Sequence, residues 1–286
     1  MKNIVIPKTN NSSLIAQLGS FYNAFKNITF GEKVIIDASS LNWAHPLLIL
    51  PISAYINETR SEINTDDCNG NIKSYLEMIK FPKGVNSISS FQKQIQKYKT
   101  YIPISVLHKE STVDRERLES LFSEKIYEIL GNIPGAENAV FYPISELITN
   151  IFEHSKKEQG FIFGQFYPSK KYWDVCIVDC GRGFAKAYKE EQNLELSDQE
   201  AIIEAMKGNS IKKDKERGYG LRTSKNVICK ALKGGGFILI SGSSALVSTE
   251  QGERLVYLKD FYWQGTIIAY RIPKPNGPID ISPYIE

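Results

Sequence analysis

Glu146-Leu-Ile-Thr-Asn-Ile-Phe-Glu-His154 is the stretch that decides the fold. At 100° per residue, Glu146, Asn150 and His154 fall within 80° of one another on a helix and form one polar stripe. The neighbouring apolar residues cluster on another side and can face a core: Ile144, Leu147, Ile148 and Ile151. The stretch therefore predicts a helix that presents an acid, an amide and an imidazole together. A plain amphipathic helix with a solvated face would give the same pattern.

A predicted strand follows, and it ends in an acid and two glycines. Tyr172 to Val178 alternates its side chains between two faces and is rich in aromatic and β-branched residues. Asp179, Gly181 and Gly183 come next. An ionised carboxylate only accepts hydrogen bonds, so it suits an exocyclic amine, and glycine lets a flat ring approach the backbone. A polar turn is the alternative interpretation.

The third motif, Gly218-Tyr219-Gly220-Leu221, precedes a predicted helix from Arg222 to Leu232 that ends at three consecutive glycines. Free backbone N–H groups and the helix dipole at such a start both favour a bound phosphate. Alone this motif is weak, but the fixed order of the three is more specific.

Together these motifs resemble the boxes of the GHKL ATPase superfamily, which includes gyrase B subunits, mismatch-repair ATPases, heat-shock chaperones, histidine kinases and anti-sigma-factor serine kinases. The stretch 146–154 looks like the N-box, and the two glycine motifs look like the glycine boxes. Gly265-Thr266, ahead of an apolar run, is similar to the pair that opens the last strand of that family. The resemblance covers roughly residues 112–273.

The resemblance implies ATP and Mg²⁺ as cofactors. It gives Glu146 the catalytic role of orienting an attacking water, and it makes Asn150 the Mg²⁺ ligand, whose amide oxygen suits a hard cation. His154 is left open between a ligand contact and a capping residue. The remaining nucleotide-binding positions that it implies are Asp179, Gly181, Gly183, Gly218, Tyr219, Gly220, Leu221 and Thr266, with Lys212 and Arg217 reaching phosphate from a lid at 184–217.

For the fold, the expectation is α/β. The resemblance implies a two-layer, Bergerat-type sandwich at 111–286, with a mixed sheet covered by helices on one face. The predicted strands are 161–167, 173–179, 237–242, 254–259 and 266–272, and the last two look like a terminal hairpin. A helix is also predicted at 198–206.

Residues 1–110 are predicted to form a smaller α/β domain. A helix at 12–25, a strand at 34–37 that ends in Asp37, and a helix at 47–57 loosely resemble the STAS domain. The serine that accepts phosphate in that family lies at the start of the helix. Here Ser39 and Ser40 lie in the loop and His45 stands at the helix entrance.

Composition agrees with two globular domains. The chain has 286 residues, 42% of them hydrophobic, and a net charge of +3 without a concentrated basic face, which argues against broad nucleic-acid binding. Four cysteines without metal-ligand spacing favour a reduced, cytoplasmic setting. No apolar run approaches the roughly 20 residues that a bilayer requires, so no membrane association is expected. A protein partner or substrate is expected, and a homodimer is left open.

Two functional hypotheses remain at this stage. The first is a Mg²⁺-dependent ATP-binding protein with weak ATPase or protein-kinase activity, because Glu146 is retained. The alternative is a nucleotide-gated interaction module that binds ATP without turnover. A scaffold with relic boxes is disfavoured, because Asn150, Asp179 and the motif glycines are all intact.

Overall fold

The computed structural model describes residues 1–9, 11–95, 99–209, 211 and 218–285. It is an α/β structure with two sheets, called here the small sheet and the large sheet. No helix within these ranges has both the length and the apolar character needed to cross a bilayer. The α-helices are α1 (Leu14–Phe25), α2 (Pro46–Thr59), α3 (Gly70–Met78), α4 (Ile88–Gln94), α5 (Thr112–Leu130), α6 (Ala136–His154), α7 (Gly183–Gln192), α8 (Asp198–Met206) and α9 (Gly220–Asn226). A π-helical turn, Val227–Ala231, continues α9, and a short 3₁₀ turn lies at Ser282–Tyr284.

The small sheet is parallel. It consists of β1 (Lys2–Val5), β2 (Val34–Asp37) and β3 (Glu62–Asn64), in that spatial order. Parallel neighbours need a crossover connection, and α1 and α2 supply the two that this sheet requires. The predicted strand at 34–37 is confirmed, and the two predicted helices are present with ends shifted by one to two residues.

The large sheet is antiparallel between every pair of neighbouring strands that the structure describes, and the expectation of a mixed sheet was wrong. The segment containing α7, α8 and α9 connects β6 to β7 as a crossover, so these strands run parallel to each other. They are not neighbours, however, because β10 lies between them and runs the opposite way. The spatial order is β4 (Tyr101–His108), β5 (Gln159–Tyr167), β6 (Tyr172–Asp179), β10 (Trp263–Pro273), β7 (Gly236–Gly242), β8 (Ser244–Thr249) and β9 (Gly252–Tyr257).

The predicted terminal hairpin is also wrong. β9 pairs with β8 at the edge of the large sheet, whereas β10 pairs with β6 and β7 near its centre. The sequence analysis did not include β8, which is short and begins and ends in hydroxyl residues. Because β8 folds back against β7, β9 pairs with β8 and does not form a hairpin with β10.

Helices cover both faces of the large sheet: those of residues 111–286 lie on one face, and α1 and α2 from the N-terminal region lie on the other. On one face, α5, α6, α8 and α9 pack against Val175, Ile177 and Ile268. On the other face, α1 and α2 pack against Cys176 and Val178 and also bury the inner side of the small sheet. Every position of β6 is consequently buried. β4 precedes the expected domain boundary near residue 110 but belongs to the large sheet.

The helix predicted at 198–206 is confirmed as α8. Its start has a full capping box, in which Ser197 and Glu200 each bond the backbone N–H of the other. The segment expected to be a lid, 184–217, is largely helical as far as Met206. α7 and α8 bury Ala187, Tyr188 and Ile202 in the core. This part of the segment is therefore packed into the hydrophobic core.

Candidate functional site

A cavity lies between α6 and the large sheet and is bordered by α7, α8 and α9. Residues from all four motifs line it: Asn150 and His154, Asp179 and Gly183, Gly218 and Leu221, and Thr266. Positions far apart in sequence thus meet in one place.

Asp179 is the acid of this cavity. It ends β6, and the antiparallel register places Thr266 of β10 directly opposite. Its Oδ1 accepts a hydrogen bond from the Gly181 backbone N–H at 2.7 Å, and the Thr266 hydroxyl also bonds the carboxyl. Burial, which leaves 2% of the residue exposed, raises the pKa of Asp179 to about 7, and those hydrogen bonds offset the effect only in part. A carboxyl with this pKa is both acceptor and donor near neutral pH.

Glycines surround Asp179 because the chain passes very close to it. Gly183 has φ +68°, and a Cβ there would lie 2.7 Å from the Gln264 carbonyl oxygen. A Cβ on Gly181 would overlap the Ser155 carbonyl, and one on Gly265 would overlap the Asp179 carbonyl. These motif glycines let three chain segments converge on one carboxyl group. Gly181 itself does not line the cavity.

Arg182 fixes the loop that carries the first glycine motif. Its Nε donates to the His154 carbonyl oxygen at 2.7 Å, at the end of α6. Its Nη1 donates to Glu190 and Glu191 of α7, each at 2.8 Å. The guanidinium is almost fully buried, so this geometry holds the end of α6, the loop and α7 in a fixed relation.

The polar stripe of α6 divides between two surroundings. Asn150 and His154 line the cavity, which removes the ambiguity about where the histidine lies. Glu146, one turn earlier, does not line it; its carboxylate lies against Gly220 at the start of α9. Partial burial, with repulsion from Glu153, raises the pKa of Glu146. The three side chains lie on one side of α6 as predicted, but their angles around the helix axis do not show which turns of the helix border the cavity.

The second glycine motif is also divided. Gly218 and Leu221 line the cavity, whereas Tyr219 and Gly220 do not. The Tyr219 ring packs on Gly208, and the Arg222 guanidinium stacks over it at 4.9 Å from the ring centroid. The expected phosphate-binding side chains of Lys212 and Arg217 lie outside the described residues.

The apolar wall of the cavity was not predicted from the sequence. Phe184 and Tyr188 of α7, together with Ile211, supply much of it. The Tyr188 hydroxyl donates to the Asn209 carbonyl oxygen at 2.6 Å and ties the end of α8 to this wall. A signal was available, because Phe184 and Tyr188 are an i,i+4 aromatic pair immediately after a glycine motif.

No protein-family model, curated protein or solved structure matches this chain. The buried Asp179 carboxyl group can accept a hydrogen bond from a donor on a ligand, and the apolar lining residues can contact a flat ring.

Two glycines at the site should differ in their tolerance of alanine. Gly265→Ala is expected to cost about 2–3 kcal/mol of unfolding free energy, because the new Cβ would overlap backbone atoms of Asp179. Gly220→Ala should cost less than about 1 kcal/mol, since its Cβ meets only the mobile end of Glu146 and alanine favours a helix. Urea denaturation of both variants checks this. Equal losses would show that the close approach at Gly265 can relax.

The buried Asp179 should make stability depend on pH. Its folded pKa is about 7, above the unfolded value near 4, so between these values the folded state holds a proton that the unfolded state lacks. The contribution of Asp179 to the free energy of unfolding is therefore greatest below about pH 4. It falls as pH rises to about 7 and is constant above that, with a total loss on the order of 4 kcal/mol.

Asp179→Asn should remove this pH-dependent contribution, so the stability of the variant relative to the wild type should increase as pH rises from about 4 to about 7. Denaturant unfolding of both proteins from about pH 4 to pH 8 measures the difference in their unfolding free energies. The contributions of the other carboxyl groups are the same in both proteins and cancel in this difference. A constant difference would mean that Asp179 is already ionised throughout.

Proposed function

We propose that this protein is a GHKL-type ATP-binding protein that holds Mg²⁺-ATP in the cavity beneath α6. The supporting observation is that Asn150, Asp179, Gly183, Gly218 and Thr266, from four separate motifs, all line one cavity. A chance match of short motifs would have no reason to gather them. A protein of this kind acts on, or together with, a protein partner.

The adenine ring would lie in the apolar part of the cavity, with its amino group at Asp179. The pair formed by Asp179 and Thr266 is already bonded, so the pocket is organised before a ligand arrives. Apolar residues offer flat contact to the ring: Leu147, Ile151, Ile177, Phe184 and Ile268. The donor set fits a purine that carries an exocyclic amine.

The phosphates would point toward Gly218 and the start of α9, and the metal would bind near Asn150. Mg²⁺ usually keeps several waters and takes only one or two protein ligands besides phosphates. A single amide oxygen from Asn150 is consistent with that coordination. Among the described residues, no group of three or more His, Cys, Asp or Glu side chains could hold a metal without the nucleotide.

Isothermal titration calorimetry with ATP and ADP, with and without Mg²⁺, tests the proposal. Mg²⁺ should tighten ATP binding to the wild type by about tenfold or more, and Asn150→Ala should remove this enhancement while ADP is still bound weakly. Thr149→Ala, the exposed neighbour on α6, is the matched control and should behave as wild type. No heat with any nucleotide would refute the proposal.

Turnover is a separate question, and one observation favours the alternative of binding without turnover. Glu146, the acid expected to orient water, contacts Gly220 and does not line the cavity. A steady-state ATPase or phosphoryl-transfer assay decides between the alternatives. Activity lost in Glu146→Ala would establish an enzyme, in which Glu146 turns toward the nucleotide. Unchanged ATP affinity with no turnover in either protein, together with a protein partner retained only in the nucleotide-bound state, would support a nucleotide-gated module.

A further inference from the structure

Ser12 lies directly before the N-cap residue of α1, at the far end of the large sheet from the cavity. Its Oγ accepts hydrogen bonds from the Tyr172 hydroxyl at 2.9 Å and from the Lys170 ammonium group. Its carbonyl oxygen accepts a third from Arg271 Nη2 at 2.5 Å. Three donors from the sheet therefore converge on one uncharged residue.

The charges around Ser12 are not balanced. Arg271 forms a bidentate pair with the buried Asp174, at 2.7 and 2.8 Å, so its charge is matched. Lys170 is exposed, and within the described part of the chain its ammonium forms no ion pair with a carboxylate; its hydrogen-bond partner is the Ser12 hydroxyl. The hydroxyl thus occupies a position where an anion would be stabilised.

We propose that Ser12 is a phosphorylation site, and that Lys170 and Tyr172 bind the phosphate once it is attached. A phosphoserine carries about −1.5 to −2 charges and three strong acceptor oxygens, which suits one ammonium and one hydroxyl donor. The start of α1 adds a favourable dipole, because the modified residue directly precedes the N-cap of a twelve-residue helix. Ser12 is half-buried between exposed Asn11 and Ser13, so a kinase can reach it after a local opening.

In this reaction the Ser12 Oγ attacks the γ-phosphorus of ATP. The new bond is the Oγ–phosphorus ester bond, and the bond from the γ-phosphorus to its bridging oxygen breaks. ADP leaves, and the hydroxyl proton passes to a base of the kinase. No oxidant or reductant is needed.

The donor site must belong to another molecule. β6 runs from Tyr172, beside Ser12, to Asp179, in the cavity. At about 3.3 Å per residue these ends lie roughly 23 Å apart, beyond the reach of a phosphoryl group bound at the same chain's cavity. The proposal is therefore independent of the proposed nucleotide-binding function.

The consequence is a clamp. In the unmodified protein, hydrogen bonds to a neutral serine tie the segment ahead of α1 to the hairpin between β5 and β6. With phosphate present, the Tyr172 bond becomes charge-assisted, and the Lys170 bond becomes an ion pair between two charged groups. Phosphorylation should therefore strengthen the attachment of α1 and the segment ahead of it to the large sheet.

Phosphoserine placed genetically at position 12 of the full chain tests the clamp by thermal unfolding. The melting temperature should rise by about 3–6 °C, and Lys170→Met should remove at least half of that rise while barely affecting the unmodified protein. Phosphoserine at Ser13 is the matched control, since its dipole contribution is similar but its gain should not depend on Lys170.

Phosphorus-31 NMR titration gives a second measurement that does not depend on overall stability. The second pKa of the phosphate at position 12 should lie below that at position 13, because the ammonium favours the dianion, and Lys170→Met should abolish the difference. Equal pKa values at the two positions, or a melting-temperature rise that is unchanged in Lys170→Met, would overturn the proposal.

Discussion

Replacing Asp179 with asparagine is expected to lower ATP affinity by about 10- to 100-fold and to remove the preference of the cavity for adenine over guanine. In the wild type, ATP should bind at least about tenfold tighter than GTP. The carboxylate accepts from the adenine amine, but it would face the carbonyl oxygen of guanine, and two buried acceptors then oppose each other. Competition of unlabelled nucleotides against a fluorescent ATP analogue measures both ratios.

The expected loss can be separated from unfolding, because the stability of the same variant relative to the wild type should increase as pH rises to about 7 and is measured independently. The pH dependence provides a further check. The ionised carboxylate accepts from the amine more strongly than the protonated acid does, so wild-type affinity for adenosine, which carries no phosphate to titrate, should fall as pH drops below about 7. Equal binding of ATP and GTP by the wild type would refute the assignment of the base pocket.

Arg271→Met is expected to cost about 3–5 kcal/mol of unfolding free energy, the largest loss of stability expected here. Asp174 is fully buried and receives two hydrogen bonds from Arg271 and one from Gln17, at 2.7 Å. Removing the guanidinium leaves a carboxyl group inside the protein with only an amide partner. Guanidinium denaturation monitored by tryptophan fluorescence gives the value.

Two companion variants make this result interpretable. Lys33→Met breaks an ion pair with Glu62 in which both side chains are about half exposed, and should change stability by less than about 1 kcal/mol. The double variant Asp174→Leu, Arg271→Met removes both charges and should recover much of the loss. A cost for Arg271→Met no larger than that for Lys33→Met would show that water reaches Asp174.

The alternation of side chains along the sequence predicted those strands and helices whose buried residues recur at the regular spacing of that element. The alternation in β6 is confirmed, with Val175 and Ile177 facing one core and Cys176 and Val178 the other. Alternation could not show that the second face is also covered, because that depends on how residues 1–60 pack. The position of β10 was likewise not predicted, since its partners come from pairings across the sheet, and periodicity carries no information about them.

The site was partly predictable for the same reason. The motifs identified Asp179, Gly183 and Thr266 because each needs a particular residue type, such as an acid at a strand end or a glycine where two chains touch. Glu146 was assigned its role from the family resemblance, which does not show which turns of α6 border the cavity. Phe184 and other apolar lining residues resemble ordinary core positions, and only the cavity distinguishes them.

The central position of β10 also constrains how the chain can be made. β6 and β7 both leave the ribosome before β10, yet each has β10 as one of its two neighbours. Until Trp263–Pro273 has been synthesised, the growing chain has two inner strands with unpaired backbone groups and a sheet in two pieces. Strands of this kind readily pair with other chains, so we expect the nascent protein to be most prone to aggregation before β10 is added. Assembly of the sheet ends with this insertion, and the cavity acquires its Thr266 wall at the same step.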